Sequence, residues 1–550
     1  MRKIILLVII VLVVILALGA GWFFTRRQTK SYTENSAFKA IPVKTPLVIE
    51  ITDIQAFLQK FESESPLIAL VREMPGLQAF REDVAGLKAL LAGNKALSGM
   101  LAKRPVLAAF NPEGKDNIGC LFALSLENRA EKSEMIGFIK DYSGSGAGTL
   151  TKRVYDDVEI YRLKKEEEEY HFAESNGIFL FSRYALFVEE AVRQIPAGNL
   201  LEQEQFKSLY NTIGSNSDFN VFIYHEKIHQ LLTKITSPSF RQALQIFARF
   251  AGRTEIDVSL NETEVLLGGF SFSDQAGPNY LSVFRDQEAE RFNLEKMIPS
   301  GISAFLCLNL SDFGNYQDDY NEFLKGSQGS YYKREASLKA LDTYSDKPFI
   351  PLFRDIAGKE FALVFAPVTQ NEPSANRFFI AGVKSQSLAK ELLIPMLEKY
   401  AKARKISMGK MQSSYQVQED KSMTIYGFPF PDFPRLLMGE TFSAAESNYL
   451  CFYENYLIFS DNMTALKSYL HDLTVSKTLA NDSRFREFNE QMASKSTFYF
   501  FLNFSRAFYL KNYYLNQIAS NVIQNNEEAI RKFYGFGWQF SAASGEFLNN

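Results

Sequence analysis

The chain has 550 residues, which is too long for one ordinary hydrophobic core and predicts at least two domains. Hydrophobic residues make up 46% and charged residues 22%, and this composition is typical of a folded protein and excludes a disordered one. The formal net charge of −3 provides no basic field for a polyanion, so we expect no nucleic-acid partner.

The first predicted element is the apolar segment Ile4–Phe24, which contains no charged residue. As a helix it would be about 30 Å long, which matches the hydrocarbon core of a bilayer. A cleaved signal peptide is the alternative, because Ala17–Ala20 offers small residues for cleavage. The apolar run continues past that site through Trp22, however, and is longer than a signal peptide needs. We therefore predict an uncleaved anchor over residues 1–24 and a polar stem over residues 25–40.

The orientation of this anchor follows from its short N-terminal tail. The flanking basic residues are nearly balanced, with two before the span and three after it: Arg2, Lys3, Arg26, Arg27 and Lys30. A very short tail before a first span usually stays in the cytoplasm. The sequence therefore predicts a single-pass membrane protein whose bulk is extracytoplasmic, on the periplasmic side of a bacterial inner membrane. The membrane is then one partner, through Ile4–Phe24.

After the stem, the sequence presents one order of elements twice. The stretch Gly177–Ile195, a short apolar strand ending in Phe-Ser and then an amphipathic helix, returns as Asn455–Leu473. We predict two tandem α+β units, residues 41–297 and 298–550. Strands in runs, joined by hairpins and single helices, favour largely antiparallel sheets. The last strand of the second copy is short, so we expect the natural chain to continue beyond residue 550.

Two features resemble a known bacterial family. They are an Ile-Pro opening before a strand (Ile41-Pro42 and Ile298-Pro299) and the Phe-Ser strand followed by a helix. The family consists of uncharacterised, membrane-anchored extracytoplasmic proteins with a duplicated α+β unit, a domain of unknown function. The resemblance covers residues 40–550. It implies a location and a fold, and it supplies no catalytic residues.

One stretch has the spacing of a catalytic metal site. His225–His229 reads HEKIH, and on a helix His225 and His229 would lie one turn apart and bind Zn²⁺ while Glu226 activates its water. Against this, a predicted strand runs directly into His225, no third ligand is signalled, and the second copy carries Phe504–Phe508 at this place. We therefore predict no catalytic residue, no metal and no cofactor, with a membrane-anchored zinc-dependent hydrolase as the alternative.

Three further patterns are interpreted as structural rather than functional features. Ser182 and Ser460 end matching strands without a G-x-S-x-G elbow, so we predict helix N-caps rather than nucleophiles. The proline-rich segment Phe428–Pro434 occurs only in the second copy, and packing on the fold is favoured over a partner surface. The three cysteines lie in apolar runs and are predicted to be buried free thiols, with one disulfide as the alternative: Cys120, Cys307 and Cys451.

These observations together predict a non-enzymatic binding or scaffold protein of the cell envelope. The anchor, the repeated units and the lack of a chemical constellation shared by both copies support this prediction. The partner is expected to be a protein or another envelope component.

Overall fold

The computed structural model describes residues 36–61, 95–101, 104–115, 117–142, 149–165, 168–197, 200–214, 217–241, 244–261, 264–273, 279–326, 328–367, 376–418, 421–543 and 546–550. Within these residues the chain forms two compact units. The first unit takes its described residues from Met1–Asp274, Asn512–Ala529 and Asn549. The second takes them from Gln275–Lys511, Ile530–Leu548 and Asn550. The predicted anchor lies outside the described residues. Among the helices that are described, none has the length and apolar character needed to cross a bilayer.

The first unit is built on one antiparallel sheet. Its strands are β1 (Leu47–Ile51), β2 (Val106–Glu113), β3 (Asn117–Ser125), β4 (Thr149–Tyr155), β5 (Val158–Lys165), β6 (Glu168–Ser175), β7 (Ile178–Ser182), β8 (Phe219–Tyr224), β9 (Arg253–Leu260) and β10 (Val265–Phe272). Across the sheet they follow the order β4-β5-β6-β7-β3-β2-β1-β8-β9-β10, with every neighbouring pair antiparallel.

Helices cover parts of both faces of this sheet. They are Ile54–Phe61, Lys95–Leu101, Arg129–Tyr142, Ala185–Gln194, Glu204–Tyr210, His225–Leu232, Gln245–Ala248 and, from the later part of the chain, Gln517–Asn525. Ala185–Gln194 and Glu204–Tyr210 pack on the face that carries Leu121 and Leu180, which we call the core face. His225–Leu232 packs on the opposite face, which we call the outer face. Because side chains alternate along a strand, each strand contributes to both.

The second unit is also an antiparallel sheet. Its strands are β11 (Glu290–Arg291), β12 (Ala304–Asn309), β13 (Ala357–Phe365), β14 (Arg377–Val383), β15 (Gln412–Gln418), β16 (Lys421–Gly427), β17 (Tyr449–Tyr453), β18 (Tyr456–Ser460), β19 (Lys495–Ser496), β20 (Phe498–Asn503), β21 (Gly535–Ala543) and β22 (Glu546–Asn549). The order β15-β16-β17-β18-β14-β13-β12-β20-β21 holds across its sheet, and β11 pairs separately with β19.

The second unit carries more described helix than the first. Its helices are Phe313–Lys325, Gln328–Asp342, Phe349–Ile356, Gln386–Arg404, Phe433–Met438, Met463–Thr474, Ser483–Glu490 and Phe504–Ala507, and Lys511–Tyr514 and Glu527–Lys532 span the residues where the assignment to a unit changes. Met463–Thr474 and Ser483–Glu490 pack on the face of this sheet that carries Phe305 and Ile458, which is its core face.

Nine strands of each unit have the same spatial order. In the first unit they are β4-β5-β6-β7-β3-β2-β1-β8-β9, and in the second β15-β16-β17-β18-β14-β13-β12-β20-β21. In both, an early strand (β1 or β12) pairs with the next strand on one side and with a much later strand (β8 or β20) on the other. The predicted α+β class with largely antiparallel pairing is confirmed. The equivalence of strands allows single positions in the two sheets to be compared through their registers.

The repeated Phe-Ser stretches form the predicted strand and helix, but the serines are not helix N-caps. The N-cap positions are Tyr184 and Asn462, and the Asn462 side chain accepts from the amides of the first turn. Ser182 and Ser460 lie two residues earlier, where each hydroxyl accepts the amide of residue 184 or 462, at 3.1 and 3.2 Å. The N-cap prediction is therefore wrong, because the bend between strand and helix takes two more residues than the pattern implied.

Candidate functional site

His225, the first residue of the HEKIH motif, is a buried structural side chain. It begins the helix His225–Leu232 directly after β8. Its Nδ1 lies 3.2 Å from the carbonyl oxygen of Phe247, and its Nε2 lies 2.8 Å from the hydroxyl of Thr254. Burial lowers the pKa of His225 to about 4, which keeps the ring neutral. Both ring nitrogens are therefore occupied by protein groups.

The other residues of the motif do not complete a zinc site. Glu226 points to solvent, where it accepts hydrogen bonds from Lys227 at 2.5 Å and from the Tyr224 hydroxyl at 2.6 Å. These two donors lower the pKa of Glu226, which weakens it as a base. His229 is half-buried. In the part of the chain that the structure describes, no three His, Cys, Asp or Glu side chains are arranged to hold a metal ion. The geometry does not fit the zinc hydrolase.

The three thiols are free, as predicted: Cys120, Cys307 and Cys451. Cys307 and Cys451 are buried, whereas Cys120 is half-buried. Burial raises the pKa of each thiol, so none has the thiolate character of a nucleophile. They are packing residues of the two sheets.

The sequence reasoning did not find a group of buried carboxyls in the first unit. Glu50 of β1, together with Glu255 and Asp257 of β9, point to the core face beside Asn220. Burial raises the pKa of Glu255 well above its usual range and that of Asp257 to about 6, and the negative charge of Asp257 acts further on Glu255.

These carboxyls are held by the residues packed over them. The Tyr210 hydroxyl donates to Glu50 at 3.2 Å, and the Gly214 amide donates to Asp257 at 2.8 Å. One oxygen each of Glu255 and Asp257 finds no donor among the described residues, and the raised pKa values favour a proton shared between the two carboxyls.

The second sheet carries no such group at the same register positions. Glu50, Asn220 and Asp257 lie side by side across β1, β8 and β9. The corresponding positions across β12, β20 and β21 are Cys307, Tyr499 and Gln539, and the position of Glu255 is taken by Gly537. The carboxyls therefore belong to the interior of the first unit alone.

The outer face of the first unit carries a row of aromatic side chains across four neighbouring strands. Strand pairing places Phe122 of β3 beside Phe181 of β7. Phe181 lies beside Phe172 of β6, which in turn lies beside Tyr161 of β5. The ring centroids of Phe122 and Phe181 are 5.6 Å apart, and those of Phe172 and Phe181 are 5.1 Å apart. We call these four residues the aromatic row.

The aromatic row is accessible to solvent. Phe122 is 37% exposed, and the other three side chains are half-buried. Contiguous exposed apolar surface is uncommon on soluble proteins and marks interaction sites. The pattern of β7 contained a signal for it, because Ile178–Phe181 is apolar at every position and a strand that is apolar on both sides needs cover on both faces.

A cleft of about 300 Å³ lies beside the aromatic row. The helix Arg129–Tyr142 contributes Ile136 and Ile139 to its wall, and the sheet contributes Phe172 and Phe179. This volume is at the lower end for a ligand site, which suits one or two side chains better than a large cofactor. The rest of its lining is polar, with Lys132, Glu159 and Glu174 among it, so the cleft is mixed in character.

The charged groups around the aromatic row are mostly paired. The Arg183 guanidinium lies 5.1 Å from the ring centroid of Tyr170, whose ring stacks on Phe181 at 5.7 Å. The Tyr161 hydroxyl donates to Glu159 at 2.7 Å, and this bond raises the pKa of Tyr161 to about 12. The surface therefore offers rings and apolar contact rather than a strong charge of one sign.

Comparisons with known proteins add no functional information. A scan against protein-family models found no match, and searches of the curated proteins and of the solved structures found no significant similarity. The resemblance to the envelope family stays a prediction.

Proposed function

We propose that the protein is a non-enzymatic binding protein of the cell envelope. In this proposal Ile4–Phe24 anchors two copies of one ancestral α+β unit outside the cytoplasm, and the aromatic row of the first unit is the binding surface. The observation that carries the proposal is the exposure of Phe122 at the end of four cross-strand aromatic side chains. Rings provide large contact area at low conformational cost, and they are enriched where binding energy is concentrated.

The shared strand order of the two units supports the duplication within this proposal. Nine strands follow the same path in each, and copies of one ancestral unit would have this property. Copies that keep the same fold are free to diverge at their surfaces, where binding sites are formed.

The test is photo-crosslinking in intact cells. The full chain is made with p-benzoylphenylalanine in place of Phe122 or, as the control, in place of Leu186, which is 53% exposed on the helix Ala185–Gln194 over the core face. We expect a covalent adduct of defined mass from position 122 and none from position 186. If position 122 gives no adduct, or if both positions give the same adducts, the aromatic row is not the binding surface.

A further inference from the structure

The second unit has a row of apolar side chains at the positions equivalent to the aromatic row, and a segment of the chain covers it. The register of β14, β18, β17 and β16 places Phe379, Phe459, Leu450 and Tyr426 at the positions of Phe122, Phe181, Phe172 and Tyr161. All four are buried, and Phe379 is 0% exposed where Phe122 is 37% exposed. One position of one fold is therefore solvent-accessible in the first sheet and enclosed in the second.

The cover in the second unit includes the connection between β16 and β17, residues 428–448. Three phenylalanines of this connection contact the row. The ring of Phe442 lies 5.7 Å from that of Phe379, and the rings of Phe428 and Phe433 lie 5.1 and 5.2 Å from that of Phe459. The prediction that the proline-rich segment packs on the fold is confirmed. In the first unit the equivalent connection, between β5 and β6, consists of residues 166–167 only.

The covering segment is a peptide with a recognisable design. Its prolines restrict the backbone before the short helix Phe433–Met438, which reduces the entropy lost on docking. Five of the six residues of this helix are buried, and Arg435 alone reaches the surface, where it contacts Asp432 and Glu440. Neighbouring helices also hold the segment, since Gln317 donates to the carbonyl of Leu437 at 2.6 Å. A short helix that places apolar side chains on an apolar surface is a common mode of peptide recognition.

We infer that the aromatic row of the first unit binds a peptide segment of a partner protein that contains phenylalanine and proline and folds on the row as a short, largely apolar helix. The second unit shows this arrangement within one chain, since residues 428–442 occupy the equivalent row there. This inference rests on the proposed function and names its ligand.

The probe is a fluorescent synthetic peptide with the sequence of residues 428–442, FPFPDFPRLLMGETF. Its binding to the full chain in lipid nanodiscs is measured by fluorescence anisotropy. We expect saturable binding to the wild type and to the control Leu186→Ser, which changes an exposed side chain over the core face. Phe122→Ser should weaken binding at least tenfold, because Phe122 is the most exposed ring of the row and its loss costs more than about 1.4 kcal/mol. Tyr161→Ser, at the other end of the row, should also weaken it.

A peptide with serine in place of three of its four phenylalanines, those at positions 428, 433 and 442, should bind at least tenfold more weakly. Equal binding to the wild type and to Phe122→Ser, or no binding to the wild type, would overturn the inference. Concentration-dependent dimerisation of the full chain that Phe122→Ser abolishes would overturn it too, since the occupant would then be a second copy. A photo-crosslink at position 122 without peptide binding refutes the ligand class and leaves the proposed binding surface in place.

Discussion

His225 shows how a residue of a catalytic-looking motif acts when it is buried. Its ring is neutral because burial lowers its pKa from the ordinary value of 6.5 to about 4. Between about pH 4 and pH 6.5, therefore, the imidazole is protonated in the unfolded chain and neutral in the folded chain. The contribution to the free energy of unfolding is fully present above about pH 6.5 and is lost as pH falls toward 4.

We expect the stability advantage of the wild type over His225→Gln to fall by up to about 3 kcal/mol between pH 7 and pH 4. Glutamine retains hydrogen-bonding groups and does not titrate, so the difference isolates the protonation of the imidazole. Denaturant unfolding at several pH values measures it. His471→Gln is the control, because His471 is exposed in the helix Met463–Thr474. An equal pH response of the two variants would contradict the assignment.

The residue scale is also where prediction from the sequence was weakest. The register that brings Glu50, Asn220 and Asp257 together is set by pairing between β1, β8 and β9, which lie far apart in the chain. Alternation along one strand indicates which side a residue faces, but not whether helices cover that side. For HEKIH the local pattern was visible and the distant contacts were not. The motif does form a helix, but the contacts of His225 with Phe247 and Thr254 make it a structural residue.

At the scale of elements, the described residues show one clear difference between the two sheets, a long connection present only in the second. Residues 428–448 connect β16 to β17 and enclose the outer face beside them, whereas residues 166–167 connect β5 to β6. The sequence showed that Phe428–Pro434 has no counterpart in the first copy. It did not show that Phe122, at the equivalent position of the first unit, is exposed, because that requires the register of four strands.

Register-equivalent phenylalanines should therefore differ in their contribution to stability. We expect Phe379→Ala to lower the free energy of unfolding by about 3–5 kcal/mol, because it removes a fully buried ring and leaves a cavity. Phe122→Ala, its matched partner, should cost about 1 kcal/mol or less, because its ring is already partly in water. Denaturant unfolding followed by circular dichroism compares them. Similar large losses would mean that Phe122 is enclosed in the purified protein.

At the scale of the whole molecule, the sequence predicted the α+β class and a repeated order of elements along the chain from local patterns alone. Those patterns were strong because apolar strands such as β7 and β18 recur with the same following helix. The assignment of residues to the two compact units was harder to predict from the sequence. Residues 512–529 belong with the first unit, although they follow β20 of the second in the chain. Contacts between distant segments decide such assignments, and no short window of sequence contains them.

The orientation of the chain in the membrane is the whole-molecule prediction. We expect an alkaline-phosphatase fusion after residue 35 to be active, because the enzyme acquires its disulfides only outside the cytoplasm. A β-galactosidase fusion at the same residue serves as the reciprocal control and should be inactive. An inactive but well-expressed phosphatase fusion, with an active galactosidase fusion, would place the bulk of the chain in the cytoplasm.

The position of β1 has a consequence for biosynthesis. Leu47 lies opposite Phe110 on one side and opposite Ile223 on the other, so β1 needs a partner that the ribosome makes much later. At typical elongation rates the delay is roughly ten seconds or more. Throughout it one edge of an apolar strand offers unpaired backbone groups to any other nascent chain. β12 waits in the same way for β20. Each unit therefore passes through an aggregation-prone interval during translation, and we expect chaperone binding to be concentrated there.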